Sequence, residues 1–170
     1  MCKTITIYCK NNNIYKEVPI GSSLLEIYEW VGTPLSFQPM NALVNNKTEG
    51  LTYRCWEPKD IEYVDYSRLS GQRTYVRSLC HIFSKAVNDI LPLATLNLEH
   101  SLSKGYYCVI HNGKKIDEEI VGKIKEKMSE IVKADLPFLL KKVRTEEAVA
   151  LFRERGMDDK VRLIESTGMS

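Results

Sequence analysis

Thr4 to Lys10 and Ile14 to Val18 alternate apolar and polar residues on either side of Asn11-Asn12-Asn13. A period of two places every second side chain on one face of an extended chain, and three asparagines favour a turn, so the start of the chain predicts a β-hairpin. The period then changes. Ser23-Leu24-Leu25-Glu26 is a capping box, Leu24, Ile27 and Tyr28 follow at helical spacing, and Gly32 supplies a stop. Ala42-Leu43-Val44, the turn Asn45-Asn46-Lys47 and Leu51 to Cys55 predict a second hairpin. Pro58-Lys59-Asp60 leads into a last strand, Ile61 to Val64.

The 170 residues, 44% hydrophobic, suffice for one large domain or two small ones, and disorder is not expected. A net charge of +2 and a pI near 8.2 fall short of the strongly basic balance of a nucleic-acid protein, so any anion recognition has to be local. The five cysteines form no C-x-x-C pair and are odd in number, which suggests reduced thiols and neither a disulfide framework nor a zinc ribbon. Met1 is followed by a strand-like run without a basic start or a signal-length apolar stretch. The expectation is a cytoplasmic protein with no membrane partner.

Residues 67–74, polar and containing Ser70-Gly71, predict a linker between a domain over 1–66 and a second over 75–170. From Tyr75 to Pro92, Val76, Leu79, Cys80, Phe83, Val87 and Ile90 share one side of a helix. Leu96 to His100 and Tyr106 to Ile110 predict strands, with a turn at Asn112-Gly113. Asp117 caps a long helix that buries Ile120, Ile124, Met128 and Ile131 and ends by Pro137. Phe138 to Val143 reads as a short strand; Thr145 caps a final helix through Ala148, Leu151 and Phe152, closed by Gly156. The fold class is α+β, with helices packed on an antiparallel sheet in the second domain.

Opposite the apolar side of the Tyr75 helix stand Arg77, His81 and Lys85 at i, i+4 and i+8. Two histidines at that spacing could share a metal or a water; an arginine repels cations, so this stripe points to an anion or is an ordinary solvated face. Lys104, Tyr106 and Tyr107 join it as candidate anion or nucleotide contacts, one tyrosine for the core and the other for stacking, because successive strand residues face opposite ways. His100 and His111 read as surface residues and Cys80 as inert, and Cys108 has no visible base. No catalytic or metal-binding residue is assigned.

Lys3 to Lys10, Pro19 to Ser23, Ala42 to Asn45 and Asp60 to Val64, in their order and spacing, resemble the TGS domain, a ubiquitin-like β-grasp module associated with RNA or ligand contacts and with regulation. The rest of the chain resembles the editing domain of threonyl-tRNA synthetases. The matching residues are Arg77 to His81, Gly105-Tyr106-Tyr107 and Thr145 to Ala148 with Phe152, Arg155, Gly156 and Lys160-Val161. In that family two histidines four apart and a later Cys-x-x-x-His line the hydrolytic pocket; here His81 matches the second, Arg77 replaces the first, Val109 replaces an acidic residue, and no Cys-x-x-x-His occurs.

Thr74 to Cys80, Ser103 to Cys108 and Phe152 to Met157 together are most similar to the N-terminal region of bacterial uridine-kinase-type nucleoside kinases. That resemblance implies a non-catalytic regulatory or nucleotide- or RNA-binding region, with a C-terminal P-loop kinase domain of the same protein as partner and ATP and Mg as that domain's cofactors. None of the nine glycines stands in a G-x-x-x-x-G-K-S/T frame, so this segment has no phosphate cradle of its own. The alternative is a divergent aminoacyl-tRNA editing hydrolase or RNA-binding module related to threonyl-tRNA synthetase.

Overall fold

The computed structural model describes residues 3–92, 94–103, 105–111, 113 and 116–167, and divides the chain into two compact units, 1–81 and 82–170. In the first, the opening alternation becomes β1 (Thr4–Cys9) and β2 (Ile14–Pro19), antiparallel with Ile5 opposite Val18 and Tyr8 opposite Tyr15. Ile5, Ile7 and Cys9 face inward, while Tyr8 stacks on Tyr15 at 4.7 Å on the other face. A short strand β3 (Ser22–Ser23) runs into α1 (Leu24–Val31). The capping box forms as read: Ser23 Oγ accepts from the Glu26 N–H at 3.3 Å and Glu26 Oε2 accepts from the Ser23 N–H at 2.7 Å. Gly32, at φ 63°, closes the helix in the left-handed conformation that a Cβ penalises.

Then follow β4 (Asn41–Val44), β5 (Lys47–Glu49), β6 (Arg54–Cys55) and β7 (Lys59–Val64). The main sheet has the order β2-β1-β7-β4-β5, with β1 parallel to β7 at its centre and the other neighbours antiparallel. Leu24 and Ile27 of α1 share its core with Ile7, Val18, Ile61 and Tyr63. The Tyr63 hydroxyl, fully buried, donates to the Leu24 carbonyl at 2.7 Å, and burial pushes its pKa up. Cys9 and Cys55 are fully buried in the same core.

The second hairpin differs from expectation. Asn45 and Asn46 both take positive φ, 48° and 66°, the geometry of a two-residue turn, so Lys47 already belongs to the return strand. Leu51 to Cys55 therefore does not pair with β4; only Arg54–Cys55 forms a strand, and it pairs with β3.

The expected linker is also largely helical, because α2 runs from Leu69 to Ile90. Its polar residues are used inside the fold: Asn41 Nδ2 donates to Thr74 Oγ1 at 2.7 Å and to the Ser70 carbonyl at 3.2 Å. Gly71 is required by close approach, since a Cβ there would lie 1.9 Å from the Asp65 carbonyl oxygen. Helix α2 crosses the division between the units.

In the second unit β8 (Thr95–Leu102) and β9 (Gly105–His111) form an antiparallel pair with an irregularity between Leu98 and His100. Of the predicted Asn112-Gly113 turn, Asn112 lies outside the described residues; Gly113 takes φ 71°. Asp117 caps α3 (Glu118–Lys133), accepting from the Ile120 N–H at 2.9 Å. Ile124 and Ile131 are buried with Ala86 and Val87, and Ile82, Phe83, Leu96, Ile110 and Met128 pack around them. The apolar side of α2 is thus centred on Ile82, Phe83, Ala86 and Val87, and Leu79 is 41% exposed.

Three further expectations change. Phe138 to Val143 is no strand: it has no regular structure, and every residue in it is exposed. Arg144, not Thr145, occupies the N-cap of α4 (Thr145–Glu154), without a side-chain cap. A helix that the sequence did not announce, α5 (Asp158–Ser166), takes up part of the polar end of the chain. The architecture is mixed α and β, and no described helix is long and apolar enough to cross a membrane.

Candidate functional site

Arg77, His81 and Lys85 are all exposed on α2, as their spacing predicts. Arg77 and His81 fall in the first unit; Lys85, Tyr106 and Tyr107 fall in the second. Lys85 is turned to a local partner, with Nζ 3.0 Å from Asp89 Oδ2 one turn on. At 100° per residue it also sits about 80° round the helix from Arg77. Ser84 and Asn88 lie closer to the line of Arg77 and His81, within about 20° of Arg77, so the polar stripe continues through them.

Tyr106 and Tyr107 are 53% and 50% exposed. They alternate sides as a strand requires, yet neither enters a core, because a two-stranded sheet has too little cover for both faces. Tyr107 lies against His100, ring centroids 5.5 Å apart. Lys104 lies outside the described residues. Among the described residues, no three His, Cys, Asp or Glu side chains converge as a metal site would require.

A cleft that the spacing argument missed opens within the second unit. About 220 Å³ in volume, it is lined by Ser84, Val87 and Asn88 of α2 and by Arg155, Gly156 and Lys160 of the α4–α5 corner. A second hollow of about 390 Å³ shares Ser84, Leu96 and Lys160 with it and extends along β8 to Glu99.

The corner is built by local chemistry. The Met157 N–H donates to the Phe152 carbonyl and the Gly156 N–H to the Arg153 carbonyl, with Gly156 at φ 67°. This is the paired 6→1 and 5→2 arrangement of a Schellman motif, which needs a left-handed residue at C′ and confirms the sequence reading of Gly156. It turns the chain sharply, so that Arg155, at the C-cap of α4, and Lys160, in α5, line one opening. Lys160 Nζ lies 3.0 Å from Asp159 Oδ2. Burial raises the Asp159 carboxyl, but the hydrogen bond and charge of Lys160 outweigh it and hold the group below its ordinary value. The cleft therefore offers Arg155 as a cation, Lys160 as one shared with Asp159, and Ser84 and Asn88 as neutral hydrogen-bonding groups, a set suited to a phosphate or a ribose.

Elements and cleft together define a mixed α/β chain of two units, with hydrogen-bonding, charged and apolar groups around an opening in the second. No family model matches it. In sequence it is similar to the threonine–tRNA ligases of several bacteria. The threonine–tRNA ligase of Syntrophomonas wolfei is 32% identical over 150 residues, which cover 88% of this chain and 24% of the ligase. That of Natranaerobius thermophilus is 28% identical over 143 residues, 84% of this chain and 22% of the ligase. That of Desulforamulus reducens is 26% identical over 160 residues, 94% of this chain and 25% of the ligase. The chain spans about a quarter of the length of these relatives. They favour the synthetase-related alternative, and the nucleoside-kinase resemblance gains no support from them.

Proposed function

We propose that the chain is an RNA-binding module related to threonyl-tRNA synthetases, a TGS-like β-grasp unit joined to an editing-like unit, and that it holds a tRNA or nucleotide end without hydrolysing it. The observation that carries this reading is the 32% identity to a threonine–tRNA ligase over 88% of the chain. The sheet order β2-β1-β7-β4-β5, with parallel central strands and a helix packed on one face, supports the β-grasp part. The cleft supports the ligand class, because Arg155 and Lys160 reach it from the motif that resembles the editing domain.

Binding without turnover follows from what stands on α2. A hydrolytic pair would place two neutral imidazoles at the spacing of Arg77 and His81, and a permanently protonated guanidinium can neither accept a proton from water nor ligate a metal. Arg77 can instead bind a phosphate through two parallel N–H groups.

The test is tRNA binding by the purified chain, followed by fluorescence anisotropy against salt. Arg155→Ala and Lys160→Ala should each weaken binding and lower the slope of log affinity against log salt by about one. Unchanged binding in both variants would remove the cleft from the reading. Release of serine from seryl-tRNA that His81→Ala abolishes would replace it with the hydrolase alternative. Binding of a free nucleotide in preference to tRNA would return the module to the nucleoside-kinase setting.

A further inference from the structure

From Val132 to Arg144 every residue is exposed, although the stretch includes Val132, Leu136, Leu139, Leu140 and Val143. Leu139 and Leu140 are 88% and 89% exposed. Single exposed leucines are ordinary on a folded surface; a contiguous apolar run is the mark of a contact surface. Among the described residues no backbone hydrogen bond involves Leu139 to Val143, so these peptide groups are open to a partner. The unit that carries them is short of cover: its sheet has two strands, and Leu98 and Leu102 on it are 40% and 62% exposed.

Charge narrows what could cover this run. Lys133, Lys141, Lys142 and Arg144 lie in the same stretch against Asp135 alone, and Lys141 reaches Glu147 only at 3.8 Å with 79% of its side chain exposed. A second copy of the chain would bring the same cations together, which is unfavourable. A lipid surface would attract the lysines but would leave the open peptide groups without partners in the apolar layer. A polypeptide strand meets both demands, with its backbone pairing to the open groups and its carboxylates facing the lysines.

We propose that Leu139 to Val143 is a docking strand that pairs edge to edge with an extended segment of a partner polypeptide in which apolar and acidic residues come in successive pairs, one of each pair on either face of the strand. Leu139 and Leu140 supply the apolar contact, and Lys141, Lys142 and Arg144 select the acidic partner.

Hydrogen exchange of the full chain with a synthetic peptide of repeating valine-valine-glutamate-glutamate tests this. Exchange of alternate amides between Leu139 and Val143, those facing the partner's edge, should slow roughly tenfold, as a newly formed strand pair requires. A peptide of repeating valine-valine-lysine-lysine should have no such effect. The double variant Leu139→Glu, Leu140→Glu should lose the protection while keeping the thermal midpoint of the free protein, since both side chains lie outside the core. Three outcomes would overturn the proposal: no protection by the acidic peptide, equal protection by both peptides, or protection that grows with protein concentration alone, which would make the partner a second copy. Protection seen only with phosphatidylserine vesicles would assign the run to a membrane surface instead.

Discussion

Asp65 shows how much a single side chain can organise. Only 4% exposed, it accepts from the N–H groups of Ser36 and Phe37 at 3.0 and 3.2 Å and from Ser67 through both N–H and hydroxyl. The Ser67 hydroxyl, aided by these backbone donors and opposed by burial, holds the carboxyl below its usual 3.8. A group whose folded pKa is lowered stabilises the fold above its unfolded value and loses that contribution as pH falls through the folded one. The urea midpoint of the first unit should therefore decline from about pH 5 downward, and Asp65→Asn should be less stable at neutral pH with a flatter decline. Six residues on, Gly71→Ala should cost about 1–3 kcal/mol in urea unfolding, because the new Cβ meets the Asp65 backbone and not a movable side-chain tip. Neither role could be read from the sequence, where Ser70-Gly71 looks like punctuation, because the partner of each group is known only once the chain has closed on itself.

Elements were legible where the bonds that make them are local. The Ser23–Glu26 box, Asp117 and Gly156 each act within three or four residues, and each stands where the sequence puts it. Strand partners are a different matter. Leu51 to Cys55 and Phe138 to Val143 have the composition of strands, but a strand exists only when another edge accepts it, and composition does not name that edge. At the candidate site the exposure of Arg77 and His81 was readable from helical period, and Lys85 could have been discounted from Asp89 four residues later. The cleft of Ser84, Asn88, Arg155 and Lys160 was not, since it joins segments far apart in the chain; the continuation of the stripe to Ser84 and Asn88 was its one available signal. Asp117→Ala tests the local rule: it should destabilise the second unit by about 0.5–2 kcal/mol and leave the first unchanged, as measured by hydrogen exchange of each.

At the scale of the whole molecule the two units differ in how much they bury. Twelve buried residues form the core cluster of the first among the described residues, against four in that of the second. Apolar burial is the main favourable term in folding, so the first unit should open more rarely. Amides of β1 and β7 should outlast those of β8 and β9 in native-state exchange, with separate dependences on urea; a single shared opening free energy would show that the units unfold as one. A ligand that binds the second unit should narrow this gap by adding its own binding free energy there.

The sulfur atoms make the same difference chemically visible. Cys9 and Cys55 are sealed within the first unit, and burial pushes the Cys55 thiol up, so little of the reactive thiolate forms there. Cys108, in the second unit, is only partly covered. An alkylating reagent should mark Cys108 at once and reach Cys9 and Cys55 only when their surroundings come apart. The delay between Cys108 and the buried pair thus acts as a stopwatch, and mass spectrometry of the modified protein would time the loosening of the first half without any introduced label.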